Sequence, residues 1–195
     1  MSVSLRVWLK RPVPLVEIES SASAALRELL NFDRDPLVRA GFDISSQPND
    51  FSTEPWSIDP RRPVCSPDLL SANSRWVLCS VEEHEEVVSV MPYSIPVQLP
   101  TDDGSYQFAD GTRASIAWHF RRTPLCFALS AGVTLGLARL LDSEIVDTAG
   151  FFTTSIESTS DEFCRVLRLS TRHTDLESAT SAFYARMSKS VQLTK

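Results

Sequence analysis

Glycine and closely spaced cysteine are scarce in this sequence, and their scarcity excludes several common kinds of site. The 195 residues include 6 glycines. Neither Gly-x-Gly-x-x-Gly nor the Gly-x-x-x-x-Gly-Lys loop occurs, and these motifs supply the phosphate cradles of the standard nucleotide sites. Gly-x-Ser-x-Gly is also absent, which weighs against the nucleophile elbow of α/β-hydrolases. The sequence therefore contains none of the standard nucleotide-binding or hydrolase motifs.

Metal-ligand spacing is missing too. Structural zinc sites need cysteines or histidines in close pairs. His84 lies among glutamates, but Val88 stands where a His-Glu-x-x-His motif needs its second histidine. We expect free, buried thiols, no metal and no cofactor. The four cysteines are scattered at wide separations: Cys65, Cys79, Cys126 and Cys164.

The balance of charge is acidic, and no segment is long and apolar enough to indicate a membrane span. The formal net charge is −6, which argues against a surface that wraps nucleic acid by neutralising phosphates. The longest apolar stretch, 125–141, is shorter than the ~20 residues of a membrane span. The amino terminus lacks the apolar run of a signal peptide. We expect a cytoplasmic protein whose partner, if any, is another protein, with a basic protein as one option, rather than nucleic acid or a membrane.

The segment from Arg113 to Thr153 carries the strongest structural signal. An alternating strand over Arg113–Arg122 precedes a helix over Leu125–Leu141, and a short strand follows at Glu144–Asp147. Thr123 is placed to cap the helix, and Pro124 at the first helical position leaves no N–H unpaired. The helix is apolar on almost every face, which predicts burial on several sides. Gly132 and Gly136, four residues apart, predict that another helix or a strand approaches it closely.

The rest of the chain predicts an α+β domain spanning residues 1–195. Its expected core is a mainly antiparallel sheet of about five strands, with helices packed on one face. Val3 to Leu9 alternate with polar residues as a strand with one buried face does, and Ser21 or Ser23 is a candidate helix cap. A Pro- and Ser-rich loop is expected over 46–74 and a helical tail over 160–190. The other predicted elements are a helix over Ala24–Asn31 and strands over Gly41–Ser45, Arg75–Val81 and Val87–Ile95.

Three regions are candidate contact sites for a protein partner. The first is the acidic string around His84, the second an Asp-rich turn between two strands, and the third an aromatic residue in the Pro-rich loop, of the kind that anchors protein contacts. The corresponding residues are Glu82, Glu83, Glu85 and Glu86; Asp102, Asp103 and Asp110; and Trp56.

Two alternatives to protein binding stay open at this point. In the first, a small enzyme uses His119 and Arg121 from one strand face together with the carboxylate of Asp147. This alternative requires the three side chains to converge in a concave site. In the second, the protein is a structural subunit of a larger assembly, with a large apolar interface.

The run from Arg122 to Phe152, RTPLCFALSAGVTLGLARLLDSEIVDTAGFF, resembles a pattern in small bacterial α+β proteins. There an alanine- and leucine-rich helix leads into a strand that ends in Asp and an aromatic residue. Immunity proteins of polymorphic toxin systems, which neutralise a toxin by binding it, are among them. The resemblance covers about one-sixth of the chain and assigns no functional residue. It implies a non-enzymatic protein that binds another protein, which is our leading hypothesis.

Overall fold

The structure, a computed structural model, describes residues 4–42, 69–71, 76–100, 106–118, 123–147, 149–153 and 155–192. These residues form an α+β architecture, so the predicted fold class is confirmed. The helices are α1 (Leu15–Leu30), α2 (Pro124–Leu141), α3 (Ser160–Leu167) and α4 (Leu176–Gln192). The strands are β1 (Ser4–Trp8), β2 (Val13–Pro14), β3 (Val38–Phe42), β4 (Leu69–Leu70), β5 (Val77–Val81), β6 (Val87–Pro100), β7 (Tyr106–Trp118), β8 (Ile145–Asp147) and β9 (Glu157–Ser158).

The main sheet has seven strands rather than about five, in the order β3-β5-β6-β7-β1-β8-β9, and every neighbouring pair is antiparallel. A separate two-stranded sheet joins β2 to β4. The sequence did not indicate β2, β4 or β9, because a strand of two residues is too short to show alternation. β3 and β9 form the two edges of the main sheet.

The first strand has the two faces that its alternation predicts. Leu5 and Val7 are fully buried in the core, while Arg6 and Trp8 point to the other face of the sheet and are half-buried. On that second face the guanidinium of Arg113, opposite Trp8 in the neighbouring strand, lies 4.0 Å from the centroid of the indole ring. This cation–π contact explains why a tryptophan, Trp8, lies on the polar face of this strand.

The central helix α2 begins as the sequence predicts. The Thr123 side chain accepts a hydrogen bond from the Cys126 N–H at 3.2 Å, and Pro124 is the first helical residue. α2 contacts five strands of the sheet on one side and α1, α3 and α4 on others. Phe127 and Tyr184 pack edge to face across the α2–α4 contact, with ring centroids 5.0 Å apart. Length and hydropathy alone would allow α2 to cross a membrane, but 83% of that window is buried within the protein.

The two glycines of α2 lie where α1 packs against it. A Cβ on Gly136 would come within 2.8 Å of the Ala22 backbone nitrogen and of the Ser21 carbonyl carbon. A Cβ on Gly132 would come within 2.9 Å of the Leu26 Cβ. The predicted close approach to these glycines is therefore confirmed, and the approaching element is α1.

The start of α1 corrects the sequence prediction. The helix begins at Leu15 instead of Ala24, after Pro14, whose φ of −59° already suits a helix start. Neither predicted cap residue serves as a cap. The Ser21 hydroxyl donates to the Ile18 carbonyl within the helix, and the Ser23 hydroxyl accepts the Val38 N–H of β3. Burial of one face from Leu15 onward, rather than a serine cap, sets the beginning of this helix.

Three strands also differ from their predicted bounds. The strand expected over Arg113–Arg122 is β7, which begins earlier, at Tyr106. The strand expected over Gly41–Ser45 is β3, which begins at Val38. The strand expected to end at Ile95 continues as β6 to Pro100, with prolines at positions 92, 96 and 100. β6 pairs with β5 only up to Val90, and beyond that residue its described pairing is with β7 alone. Proline is tolerated there because an edge strand need not donate on its open side.

Side chains of α1 cover the open edge of β3. The Ser23 hydroxyl accepts the Val38 N–H at 3.0 Å, and the Glu19 carboxylate accepts the Ala40 N–H at 2.9 Å. Unpaired N–H groups at a sheet edge are templates for pairing with another chain. The two α1 residues therefore occupy the donors through which a foreign strand would add to this edge.

The α1–α2 contact gives the first prediction. Gly136→Ala places a methyl group against the α1 backbone, which no side-chain rotation can relieve. We expect the free energy of unfolding in urea to fall by about 1–3 kcal/mol. At a helical position with free space around it, the same substitution would instead raise the free energy of unfolding by about 1 kcal/mol, because alanine has the higher helix propensity. A Gly136→Ala protein that is as stable as the parent, or more stable, would contradict the observed packing.

The covered edge gives the second prediction. Replacing Glu19 and Ser23 together by alanine uncovers two N–H donors of β3, and we expect concentration-dependent self-association in size-exclusion chromatography with light scattering. The matched control is the double change Glu17→Ala and Ser20→Ala, which removes the same residue types from α1 without touching β3. Equal association of the two variants would rule out the edge as the cause.

Candidate functional site

The acidic string forms the exposed turn between β5 and β6. Glu82 to Glu85 are exposed and Glu86 is half-buried. The Glu82 N–H donates to the Leu37 carbonyl at 2.8 Å, and the His84 N–H donates to the Val81 carbonyl at 3.0 Å. An ion pair of 3.1 Å joins Glu82 to Arg39 on β3. The turn is therefore fixed to Leu37 and to β3, and its residues from Glu82 to Glu85 are exposed.

The other predicted contact residues lie either outside the described residues or in strand β7. Trp56, Asp102 and Asp103 lie outside the described residues. Asp110 was predicted to lie in a tight turn, but its backbone belongs to β7, where it pairs with Pro96 of β6. The long β6–β7 hairpin extends the ladder past the Asp-Gly pair at 110–111, because tertiary pairing overrides the local turn signal.

The enzymatic alternative depends on three side chains, of which one is described. His119 and Arg121 lie outside the described residues. The side chain of Asp147 is buried, and its Oδ2 accepts the backbone N–H groups of Phe152 at 2.6 Å and Thr153 at 3.0 Å. This carboxylate holds the turn that contains Gly150, whose φ is +64°. An Asp three residues before a Gly is a turn signal, so this structural contact had a local signal in the sequence.

Two of the buried thiols are poorly suited to nucleophilic chemistry. Burial raises the pKa of Cys79 to about 12, helped by the negative charge of Glu19. Burial and the hydrogen bond to Glu28 raise the pKa of Cys164 to about 11. Because the thiolate is the reactive form, both groups are protonated and unreactive at neutral pH. The predicted free, buried state is confirmed for Cys79, Cys126 and Cys164, and Cys65 lies outside the described residues.

A partly exposed polar cluster that the sequence did not indicate joins α1, α2 and α3. Arg139 Nη1 donates to Glu28 Oε2 at 2.6 Å, and the Cys164 thiol donates to Glu28 Oε1 at 3.2 Å. The hydrogen bond from Arg139 lowers the pKa of Glu28. Glu28 is more than a hundred positions from both Arg139 and Cys164, so no local motif could reveal the cluster.

The cluster forms one wall of a cavity of about 440 Å³. The segment after α3 forms another wall and is held firmly to the end of α1. The Leu169 N–H donates to the Leu29 carbonyl at 2.8 Å, and Asn31 Nδ2 donates to the Ser170 carbonyl at 3.1 Å. Three arginines, two carboxylates, Asn31 and Ser170 line the cavity together with Cys164 and Leu169. The charged lining residues are Glu28, Arg139, Asp161, Arg165 and Arg168.

The Glu28–Arg139 pair gives the third prediction. A glutamate whose pKa is lowered in the folded protein stabilises the fold at pH values above 4.5, its usual pKa. This stabilisation is lost as the pH falls through the lowered pKa. We expect Glu28→Gln to lose less stability than the parent between pH 6 and pH 3 in urea unfolding. The difference should be below about 1 kcal/mol, because the pair is one-third exposed and solvent screens it.

The control for this measurement is Glu177→Gln. It removes an exposed carboxylate of α4 that has no ion pair within the described part of the chain. If Glu28→Gln and Glu177→Gln show the same change in pH dependence, the Arg139 pair contributes nothing specific.

No protein-family model, curated protein or solved structure matches this chain. Any proposal for its function therefore depends on the geometry and charge of its own residues.

Proposed function

We propose that this protein works by binding another protein with a basic surface, as an immunity protein does when it neutralises a toxin. The observation that carries the proposal is the exposed acidic turn Glu82–Glu86. The backbone N–H of Glu82 donates to the Leu37 carbonyl, and the Glu82 carboxylate pairs with Arg39. A fixed turn loses little conformational freedom on binding, which favours affinity.

The charge of the chain supports the same proposal. A formal net charge of −6 attracts a cationic partner over long range and raises the association rate at low salt. Carboxylates on a fixed turn then orient the encounter with arginines or lysines of the partner.

The mode of binding follows from the edges of the sheet. Addition of a strand to β3 is opposed because Ser23 and Glu19 of α1 already accept its outward N–H groups. Side-chain contacts made by the turn, rather than backbone pairing at this edge, are therefore the proposed mode. Asp147 and the Cys79 thiol have structural environments, which favours binding over catalysis.

The fourth prediction tests this proposal by charge reversal. Glu83, Glu85 and Glu86 are replaced together by lysine, and Glu82 is kept because it pairs with Arg39. Affinity capture from the native cell lysate is run beside the parent, followed by association kinetics of the captured partner at two salt concentrations. We expect a single basic partner with the parent protein. With the variant, we expect slower association and a flatter salt dependence.

The matched control reverses three exposed glutamates elsewhere, Glu144, Glu157 and Glu177. Both triple variants shift the net charge from −6 by +6 to 0, so they differ only in where the charge changes. Equal slowing by both would exclude the turn as the interface. The toxin-neutralising role requires in addition that the captured protein is harmful when expressed alone and harmless when co-expressed with the parent.

A further inference from the structure

We infer that the cavity between α1, α2 and α3 binds a small phosphate-bearing anion, either free phosphate or a phosphate monoester, through Arg165 and Arg168. This site is separate from the acidic turn and does not depend on the proposed function. Its lining holds three arginines against two carboxylates, in a chain whose formal net charge is −6.

The side chains of these two arginines have no hydrogen-bond partner of their own among the described residues. The neighbouring arginines each have one: Arg27 pairs with Asp35, Arg139 with Glu28 and Arg172 with Asp33. The guanidinium groups of Arg165 and Arg168 make no hydrogen bond or close ion pair with the described residues. Their charges do act on nearby carboxylates, because Arg165 helps to lower the pKa of Glu162 and Arg168 that of Glu28. Two guanidinium groups whose donors are not taken by these carboxylates suit a dianion, which phosphate and its monoesters are near neutral pH.

Helix capping does not account for both residues. Cations near a helix carboxyl end stabilise it by interacting with the last carbonyl groups. Arg186 of α4 already does this for α3, because its two terminal nitrogens donate to the Val166 and Arg168 carbonyls at 2.7 and 2.6 Å. Arg165 and Arg168 therefore remain available to a ligand.

The backbone wall that carries the two arginines is fixed before a ligand arrives. The Arg168 N–H donates to the Cys164 carbonyl at 2.8 Å, and the next residue, Leu169, is bonded to α1. Glu28 engages Arg139 through its two terminal nitrogens, which leaves further guanidinium N–H groups as donors. A guanidinium fork fits phosphate oxygens in a bidentate geometry, and a pre-formed wall reduces the entropy lost on binding.

The fifth prediction is tested by calorimetric titration with inorganic phosphate and, separately, with phenyl phosphate. We expect saturable binding to the intact protein. The double change Arg165→Gln and Arg168→Gln should weaken the affinity by about tenfold or more, since it removes two charge-assisted contacts. The matched control is Arg34→Gln, an exposed arginine outside the cavity lining, which should leave the affinity unchanged. Urea unfolding of each variant shows that it is folded.

Tighter binding of phenyl phosphate would support the proposal and assign a monoester as the ligand. Tighter binding of inorganic phosphate would support it and assign the free ion. The proposal is overturned if neither probe binds saturably, or if the double variant binds as tightly as the parent. Titration of the acidic-turn variant separates the two proposals, because it should bind phosphate as the parent does even if its protein partner is lost.

Discussion

The close contact between α1 and α2 is the constraint on which the rest of this structure depends. α2 is covered by the sheet and by the other helices, so it has little tolerance for added volume. At Gly136 the α1 backbone approaches so closely that a single methyl group would collide with it. This contact fixes the position of α1, and α1 in turn places Ser23 and Glu19 on the edge of β3 and Glu28 beside Arg139.

Both proposed surfaces inherit their geometry from α1 and the segment that follows it. The acidic turn is held by Leu37 and Arg39, which come directly after that helix. The arginine-lined cavity is bounded by Glu28 and Asn31 at the end of α1, which bind groups of α2 and of the segment after α3. α1 and the segment that follows it thus help to position an acidic surface and an arginine-lined cavity in the same chain.

The glutamates of these two surfaces differ in their surroundings: one is paired with an arginine and the other is in solvent. Glu28 is matched by Arg139 and by the Cys164 thiol, and its lowered pKa reflects the hydrogen bond from arginine. At the turn, the carboxylate of Glu83 lies in solvent on a residue with a φ of 68°, a conformation that non-glycine residues seldom adopt. The surrounding hydrogen bonds maintain this conformation, and strained residues of this kind often occur at functional surfaces.

By itself the sequence determined the elements whose signals are local. Thr123 and Pro124 predicted the start of α2, and the alternation around Leu5 predicted which face of β1 is buried, because capping and periodicity act within a few residues. The sequence also predicted the exposed acidic turn between two strands, because consecutive charged residues favour contact with solvent. Only the tertiary structure decided where α1 begins, since Ser21 and Ser23 bond elsewhere, and that Asp147 holds a loop. The pairing of Glu28 with Arg139 was likewise inaccessible, because folding alone brings residues more than a hundred positions apart into contact.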